Sequence, residues 1–350
     1  MVQRLQPANT YNHSTHHKMI YIVNKSTNPA YNIALEEYCF KKLKQFDKIF
    51  ILWINEPAII VGKHQNTLAE INSEYVKENG IHVVRRITGG GAVYHDLNNL
   101  NYTIISNEEE GGSNFDFKTF SQPVIATLKE LGVDAEFSGR NDITIDGKKI
   151  CGNAQAYIDG RVMHHGCLLF DTDLSVLSKA LEVSKETVDP KGVKSVRSRV
   201  DNILPNLPEK INVNDFADKI LEQMKREFPE MTEYVFSEEE KQEIEKVRQE
   251  KFGNWDWNFG NNPAAGIVRE TRFTGGKVQV FANVKGGLIT DIKFFGTFFG
   301  KNSDLSEVEN ALKGVKYTSE DIKTALSKID TSQYFAGFSL EELTEAIVGS

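Results

Sequence analysis

At 350 residues the chain has room for roughly two domains, and with 40% hydrophobic and 26% charged residues it can bury a sizeable core. A net charge of −8 argues against general nucleic-acid binding and against attraction to anionic membranes. Its three cysteines, Cys39, Cys151 and Cys167, form no C-x-x-C pair and no zinc spacing, which predicts a reduced, cytoplasmic setting rather than a disulfide framework.

Residues 1–18 carry no acidic group and no apolar core, so they read as a flexible extension rather than a secretory signal, with His13, His16 and His17 in a solvated tail. No apolar run approaches the roughly 18 residues needed to span a bilayer. Met19 then leads into a strand, Ile20 to Val23. Asn28-Pro29 predicts a helix start, with an apolar face continuing to about Lys44. Phe50–Ile54 and Ala58–Val61 read as two apolar strands joined at Glu56-Pro57. The polar loop 62–66 feeds a helix that stops at Gly80. After the strand Ile81–Val84 comes Arg85-Arg86-Ile87-Thr88-Gly89-Gly90-Gly91-Ala92-Val93-Tyr94-His95-Asp96, and then the strand Leu100–Ile105.

A polar loop follows at Glu108–Asn114. Phe117, Phe120, Val124, Leu128 and Leu131 at helical spacing predict a buried helix closed by Gly132. From Val133 to Phe170 the turn dipeptides Asp146-Gly147 and Asp159-Gly160 predict an antiparallel meander. Residues 184–210 are irregular and carry Lys185, Lys191, Lys194, Arg197 and Arg199. Helices follow from Asn214 to Phe228 and after the capping box Ser237/Glu240. The aromatic, Gly- and Asn-rich passage Phe252–Pro263 predicts a domain junction. Beyond it come the strands Ile267–Phe273, Lys277–Val284 and Leu288–Phe295. Three short helices close the chain, the last capped by Ser339/Glu342. The pattern predicts an α+β protein: a large domain, 19–260, whose mixed or antiparallel sheet is flanked by helices, and a small α+β module, 261–350.

Two arginines before three glycines form an anion cradle, since a forked donor suits two oxygens and glycine lets a ligand lie on the backbone. The plainer alternative is a Gly-rich hairpin with a solvated basic end. No Walker A, G-x-G-x-x-G, G-x-S-x-G or H-E-x-x-H motif occurs. A second polar constellation lies on the meander: Gly139-Arg140-Asn141-Asp142, Lys148-Lys149-Ile150-Cys151-Gly152 and His164-His165-Gly166. Strand alternation places Lys149, Cys151 and Asn153 on one face and Ile150 on the core face. A lone lysine after a tight turn is usually solvated; sharing a sheet with the cradle gives this one a role.

These motifs resemble the lipoate–protein ligases. The resemblance runs from Arg85-Arg86 and Gly89–Gly91 with His95-Asp96, through Gly139–Asp142 and Lys149–Gln155, to Lys194–Val200 and the small module. It implies the biotin/lipoate-ligase type of catalytic domain and a two-step acyl transfer. Lipoate and Mg-ATP give lipoyl-adenylate and pyrophosphate, and a lysine of a lipoyl domain then attacks the mixed anhydride. Position by position, it implies that Arg86 holds phosphate and that Gly91, Ala92, Val93 and Tyr94 line the nucleotide. Lys149 touches both lipoate and adenylate; Gly90, His95 and His165 contact lipoate; Asn141 and Asp142 support them. Mg²⁺ arrives on the nucleotide phosphates without direct protein ligands. The acceptors it implies are acyltransferase subunits of 2-oxoacid dehydrogenases or the glycine-cleavage H protein. Val83, Val93 and aliphatic residues of the meander are candidates for the apolar slot. The 184–210 loop and the small module are candidate covers that exclude water. Two competing chemistries are a Cys151 thioester transferase, which needs no ATP, and a non-catalytic lipoate- or nucleotide-binding module. A biotin–protein ligase would carry Gly-Arg-Gly-Arg-x-Gly where this chain has three glycines.

Overall fold

Asn28 and Pro29 start the first helix by different means. The Asn28 side chain accepts a hydrogen bond from the Tyr31 amide, and Pro29 sits where a backbone N–H would have no partner. In the computed structural model, which describes residues 18–107, 116–181, 200–260 and 266–349, the chain runs as follows. The first half is β1 (Met19–Val23), α1 (Pro29–Lys42), β2 (Lys48–Trp53), β3 (Ala58–Val61), α2 (Thr67–Glu70), α3 (Ser73–Glu78), β4 (His82–Arg85), β5 (Val93–His95), β6 (Asn99–Asn107) and α4 (Phe117–Glu130). The meander is β7 (Ala135–Ser138), β8 (Asp142–Ile145), β9 (Lys148–Ile158) and β10 (Arg161–Leu169). Then come α5 (Leu174–Ala180), α6 (Val213–Glu227), β11 (Thr232–Glu233), α7 (Glu238–Val247) and α8 (Trp255–Phe259). The C-terminal module has β12 (Ile267–Phe273), β13 (Gly276–Lys285), β14 (Leu288–Gly296), α9 (Ser306–Leu312), α10 (Ser319–Leu326) and α11 (Leu340–Val348).

The large sheet has the order β11-β1-β2-β6-β10-β9-β8-β7, with β1 parallel to both neighbours and the other pairs antiparallel. It is the mixed α+β sheet that the sequence predicts. One face packs Phe50, Tyr102 and Leu168 against Leu128 of α4 and Phe216 of α6. The other packs Ile49, Ile51 and Met163 against Ile33 and Phe40 of α1 and Ile244 of α7. A small sheet, β4-β3-β5, stands beside it and carries the glycine loop between β4 and β5. In the module, three antiparallel strands bury Val280, Ile292 and Phe294 against Val308, Ile322 and Leu343 of its helices. No helix among the described residues is long and apolar enough to cross a membrane.

The two strands expected on either side of Glu56-Pro57 are present as β2 and β3, and they part there, β2 joining the large sheet and β3 the small one. The helix expected to run to Gly80 is two short ones, because Ile71 leaves it to bridge Leu181 and Asn72 caps a second start. Within the passage expected as a junction, Trp255–Phe259 forms a helix packed on the large domain, where Asn258 is buried and the Trp257 indole donates to the Arg85 carbonyl, and residues 261–263 lie outside the described residues. The expected N-terminal extension, the 108–114 loop and the five cations at 185–199 lie outside the described residues, apart from Lys18.

Candidate active site

A β-bulge decides which side chains of β9 meet the cavity. The turn Asp146-Gly147 takes left-handed φ values of 49° and 73° and starts a regular hairpin, with Ile145 opposite Lys148 and Thr144 opposite Lys149. The next pairing is Ile143 with Cys151, so Ile150 is an extra residue. Ile150 and Cys151 therefore both enter the core, each fully buried beside Ile143. Alternation resumes out of step, and Gly152 and Ala154 share the cavity face with Lys149. This corrects the expected grouping of Lys149, Cys151 and Asn153. Asn153 reaches the cavity margin, but its side-chain oxygen accepts from the Tyr102 hydroxyl at 2.7 Å.

The cavity encloses about 100 Å³. The glycine loop supplies Arg86, Gly90, Gly91, Ala92, Val93 and His95; the meander supplies Asn141, Lys149, His165 and Cys167; Ile33, Trp53, Ile60 and Asn101 form its apolar and polar depth. Val93 and His95 face it, while Tyr94, between them, points the other way into a cluster with Ile59, Val61 and Ile71. The Tyr94 side chain thus stands off the cavity. Val83 packs against that same outer cluster and not in the slot.

The arginines differ most from the cradle expected of them. Arg85 is 2% exposed and donates to the carbonyls of Gly62, Lys63, Gln65, Trp257 and Asn258 and to the Thr67 hydroxyl. Arg86 donates to Thr88 Oγ1 and to the carbonyls of Ile60, Gly89 and Gly91, at 2.7–3.0 Å. Four of the five N–H groups of a guanidinium are thereby turned inward. Burial lowers both pKa values to about 10. Arg86 shapes the loop from behind; its presence at the cavity wall leaves little of the fork for an incoming phosphate. We expect Arg85→Leu to lower stability by about 3 kcal/mol or more, since several buried carbonyls lose their donors at once. Arg85→Lys will not restore it, because a compact ammonium cannot span these six separated acceptors. Urea unfolding of the two variants beside wild type measures this.

From Arg86 a buried chain runs across the site. Thr88 Oγ1 lies 2.8 Å from His165 Nε2, and His165 Nδ1 lies 2.9 Å from Glu36 Oε1 on α1. Glu36 also accepts from the Thr103 hydroxyl at 2.5 Å, which in turn accepts from the Trp53 indole at 2.9 Å. Both His165 nitrogens are engaged by protein, so the ring offers a ligand its face rather than a hydrogen bond. Glu36, Thr88 and Thr103 were not singled out from sequence. Nothing in the run Ile33–Phe40 distinguishes Glu36 from its neighbour Glu37.

Lys149 stands at the mouth. Its ammonium is 2.9 Å from Asp142 Oδ1, with both side chains about one-third exposed (35% and 33%). Glycine at 152 leaves the space that the lysine tip fills: a Cβ there would sit 2.8 Å from Lys149 Nζ and displace it. Asn141 braces the adjoining strand through Nδ2 to the Asn153 carbonyl at 2.6 Å. Deeper in, His95 Nδ1 meets Asn55 Nδ2 at 3.0 Å, while His95 Nε2 and Asn101 Nδ2 are buried without a hydrogen-bond partner. Burial pushes the Cys151 thiol well above its ordinary range and Cys167 up to about 12. Both disfavour a thiolate at neutral pH.

The C-terminal module roofs the loop. Gly90, at φ +91°, lies under the Phe299 ring, and a Cβ at Gly89 would run into the Phe298 carbonyl. Phe299 also packs on Phe117 and Ala154. The closure is tied by Gly296 N to the His64 carbonyl at 2.7 Å, by the His64 ring stacked on Phe298 and by Lys277 with Glu70 at 3.0 Å. Arg140 donates to the carbonyls of Gly275 and Thr297.

Residues 28–225 match the model of the lipoyl protein ligase A/B catalytic domain, and residues 262–347 match that of the bacterial lipoate protein ligase C-terminus. Lipoate-protein ligase LplJ of Bacillus subtilis is 42% identical over 94% of this chain and 100% of its own length. The structure of P. falciparum LipL1 in complex with lipoate superposes with a TM-score of 0.76 at 26% identity, over 95% of this chain and 99% of that one. A bi-partite ligase from Thermoplasma acidophilum, described with its E2 lipoyl domain, gives 0.60 at 27% identity over 72% and 100%. A lipoate-protein ligase A bound with ATP gives 0.58 at 26% over 69% and 99%. The catalytic-domain and C-terminal matches together span most of the chain, the relatives are similar along nearly their whole length, and the chain belongs to the lipoate–protein ligase family.

Proposed function

We propose that residues 19–260 activate free lipoate with Mg-ATP as lipoyl-adenylate and pass the lipoyl group to a lysine of a lipoyl domain, with residues 261–350 as an accessory cover. The observation that carries this is the placement of Lys149. It is a cation on the cavity face of β9, over Gly152, opposite Gly90 and Gly91. Joining a carboxylate to a polyanion requires positive charge that is fixed in place before charge builds on phosphorus. Lys149 supplies it as a compact point charge held by Asp142. The backbone of Gly90–Val93 lines the nucleotide side, and Ile33, Trp53, Ile60 and Val93 form the apolar slot.

Ligand pockets usually enclose roughly 300–1,000 Å³, well above the present cavity. A lipoyl-adenylate therefore requires the Phe298–Phe299 turn to lift from the glycine loop, and its return shields the anhydride from water. In the second step the acceptor amine attacks the acyl carbon, the acyl–oxygen bond breaks and AMP leaves. Mg²⁺ would enter on the nucleotide phosphates, and among the described residues no group of three or more His, Cys, Asp or Glu converges as a metal site. Acceptors of this class are lipoyl domains of 2-oxoacid dehydrogenase acyltransferases or the H protein. Incubation with ATP, lipoate and each purified acceptor, read by intact mass, tests the reading; no mass gain on any acceptor would overturn it.

The thioester alternative meets a specific obstacle in the bulge, which buries Cys151 on the far side of β9 from Lys149. Cys151→Ser is expected to keep ATP-dependent lipoylation within about twofold of wild type, since no reacting group touches position 151. Near-total loss in the same mass assay would return the cysteine to the mechanism.

A further inference from the structure

The floor of the Lys149 cavity carries polar groups that the fold itself leaves unused. Trp53 on β2, Asn101 on β6 and Cys167 on β10 are cross-strand neighbours, Trp53 opposite Asn101 and Asn101 opposite Cys167, and all three line the cavity. His95, on β5, meets the Trp53 ring edge to face, with ring centres 6.0 Å apart. Ile33 and Ile60 make the rest of this end apolar. Asn101 is 1% exposed and His95 2%, yet Asn101 Nδ2 and His95 Nε2 have no hydrogen-bond partner among the described residues. The Cys167 sulfur does not serve Asn101, because it already accepts from Asn99 Nδ2 at 2.9 Å. A buried donor left unpaired is costly, so two at one end of a cavity call for an occupant that accepts.

Which His95 nitrogen carries the proton is fixed by asparagines behind it. Asn32 Nδ2 donates to the carbonyls of Ser26 and Ile54, at 2.9 and 3.1 Å, so this amide cannot be turned round. The same nitrogen donates to Asn55 Oδ1 at 2.8 Å, which leaves Asn55 Nδ2 facing His95 Nδ1 at 3.0 Å. Nδ1 must therefore accept. Burial first, and then the charges of Arg86 and His165, hold the ring neutral with a pKa of about 3. A neutral imidazole whose Nδ1 accepts carries its proton on Nε2. Asn55 is fully buried and does not line the cavity, whereas His95 does, so the free Nε2–H is the donor that the ring turns to the cavity.

Resting on the ligase reading above, we infer that Asn101 Nδ2 and His95 Nε2–H select the acid by its buried end, favouring an end that carries sulfur lone pairs over one of plain hydrocarbon. The carboxylate has to lie at the Lys149 mouth to meet the nucleotide, which places the far end of the acid on this floor. A dithiolane offers each donor a divalent sulfur, a weak acceptor; a methyl or a saturated carbon ring offers none. A hydrocarbon end therefore seals both donors away unpaired. Sites built to pair a substrate's polar atoms reject analogues lacking them, and the weakness of sulfur as an acceptor makes the discrimination here about tenfold. Asn55 is a positioning residue in this scheme, acting through the His95 tautomer.

Three acids separate sulfur from shape: lipoate, octanoate, and 5-cyclopentylpentanoate, in which methylenes replace both sulfurs of the ring. With ATP and Mg²⁺, wild-type kcat/KM for pyrophosphate release should be about tenfold higher with lipoate than with either hydrocarbon acid. Asn101→Leu should bring that ratio down to about twofold, and Asn101→Ser, which keeps a donor, should hold part of it. Each ratio is taken within one protein, so a general loss of activity cancels. Wild-type protein labelled with ¹⁵N-histidine gives a readout that needs no variant. His95 should carry its proton on Nε2, and that proton should shift on binding lipoate and far less with the cyclopentyl acid. Equal kcat/KM for lipoate and the cyclopentyl acid overturns the inference and assigns any bias against octanoate to ring shape. An unchanged ratio in Asn101→Leu, or a His95 proton on Nδ1, also overturns it. No pyrophosphate from wild type with any of the three acids overturns the ligase reading itself.

Discussion

Lys149→Ala is expected to slow lipoyl-adenylate formation by about 10²–10³, the usual effect of removing one fixed charge partner of a transition state, or about 2.7–4 kcal/mol. The argument is geometric. Arg86 has most of its donors turned toward Thr88, Ile60, Gly89 and Gly91, which leaves Lys149 as the cation with an unobstructed approach to the cavity mouth. Lys149→Arg should recover little, because the tip already lies over Gly152 with no room for a wider head. Pyrophosphate release from ATP and lipoate is the measurement. A variant retaining more than half of the wild-type rate would remove Lys149 from the mechanism.

Acid will unfold this protein more steeply than its surface charge suggests. His64 and His95 are buried and each is held down to about 3, with Lys63 and Arg85 adding to burial at His64, and Arg86 and His165 at His95. Burial also holds His164 well below its ordinary range, between Gln155 and the Tyr102 hydroxyl. In the unfolded chain each would titrate near about 6.5. Below that pH the unfolded state binds protons that the folded state refuses, so stability is full above it and falls as pH drops toward the folded values. Each histidine contributes a limiting slope of about 1.4 kcal/mol per pH unit and three together about 4 kcal/mol per pH unit, so a drop of two units below the unfolded value is comparable to a typical total stability of about 5–15 kcal/mol. Urea midpoints measured from pH 7 to pH 4 should fall continuously below about pH 6. A flat midpoint to pH 4 would show that the rings take up protons inside the fold. His64→Phe should make the decline shallower while keeping the stack on Phe298.

What could be read from sequence was what is local. The caps at Asn28, Ser237 and Ser339 and the turns at Asp146 and Asp159 formed where expected, because each is satisfied by residues within a few positions. The meander followed from those turns. The faces of β9 did not, because counting by twos cannot see that Ile150 is extra until its partner strand is known. The same limit applied to the arginines. Sequence gives the fork but not the acceptors, and the carbonyls that engage Arg85 come from residues 62–65 and 257–258. Glu36 was invisible for the converse reason: a carboxylate on a helix reads as solvated until Thr103 and His165 are found against it.

The chain Arg86–Thr88–His165–Glu36 also makes the enzyme its own reporter. With Glu36 as acceptor, the His165 proton on Nδ1 is fixed, buried and shielded from exchange with water. Such a proton gives a resonance displaced far from the amide envelope. Since its far end is the arginine that shapes the glycine loop, that one signal would register a ligand settling at either end of the cavity without any label on the ligand.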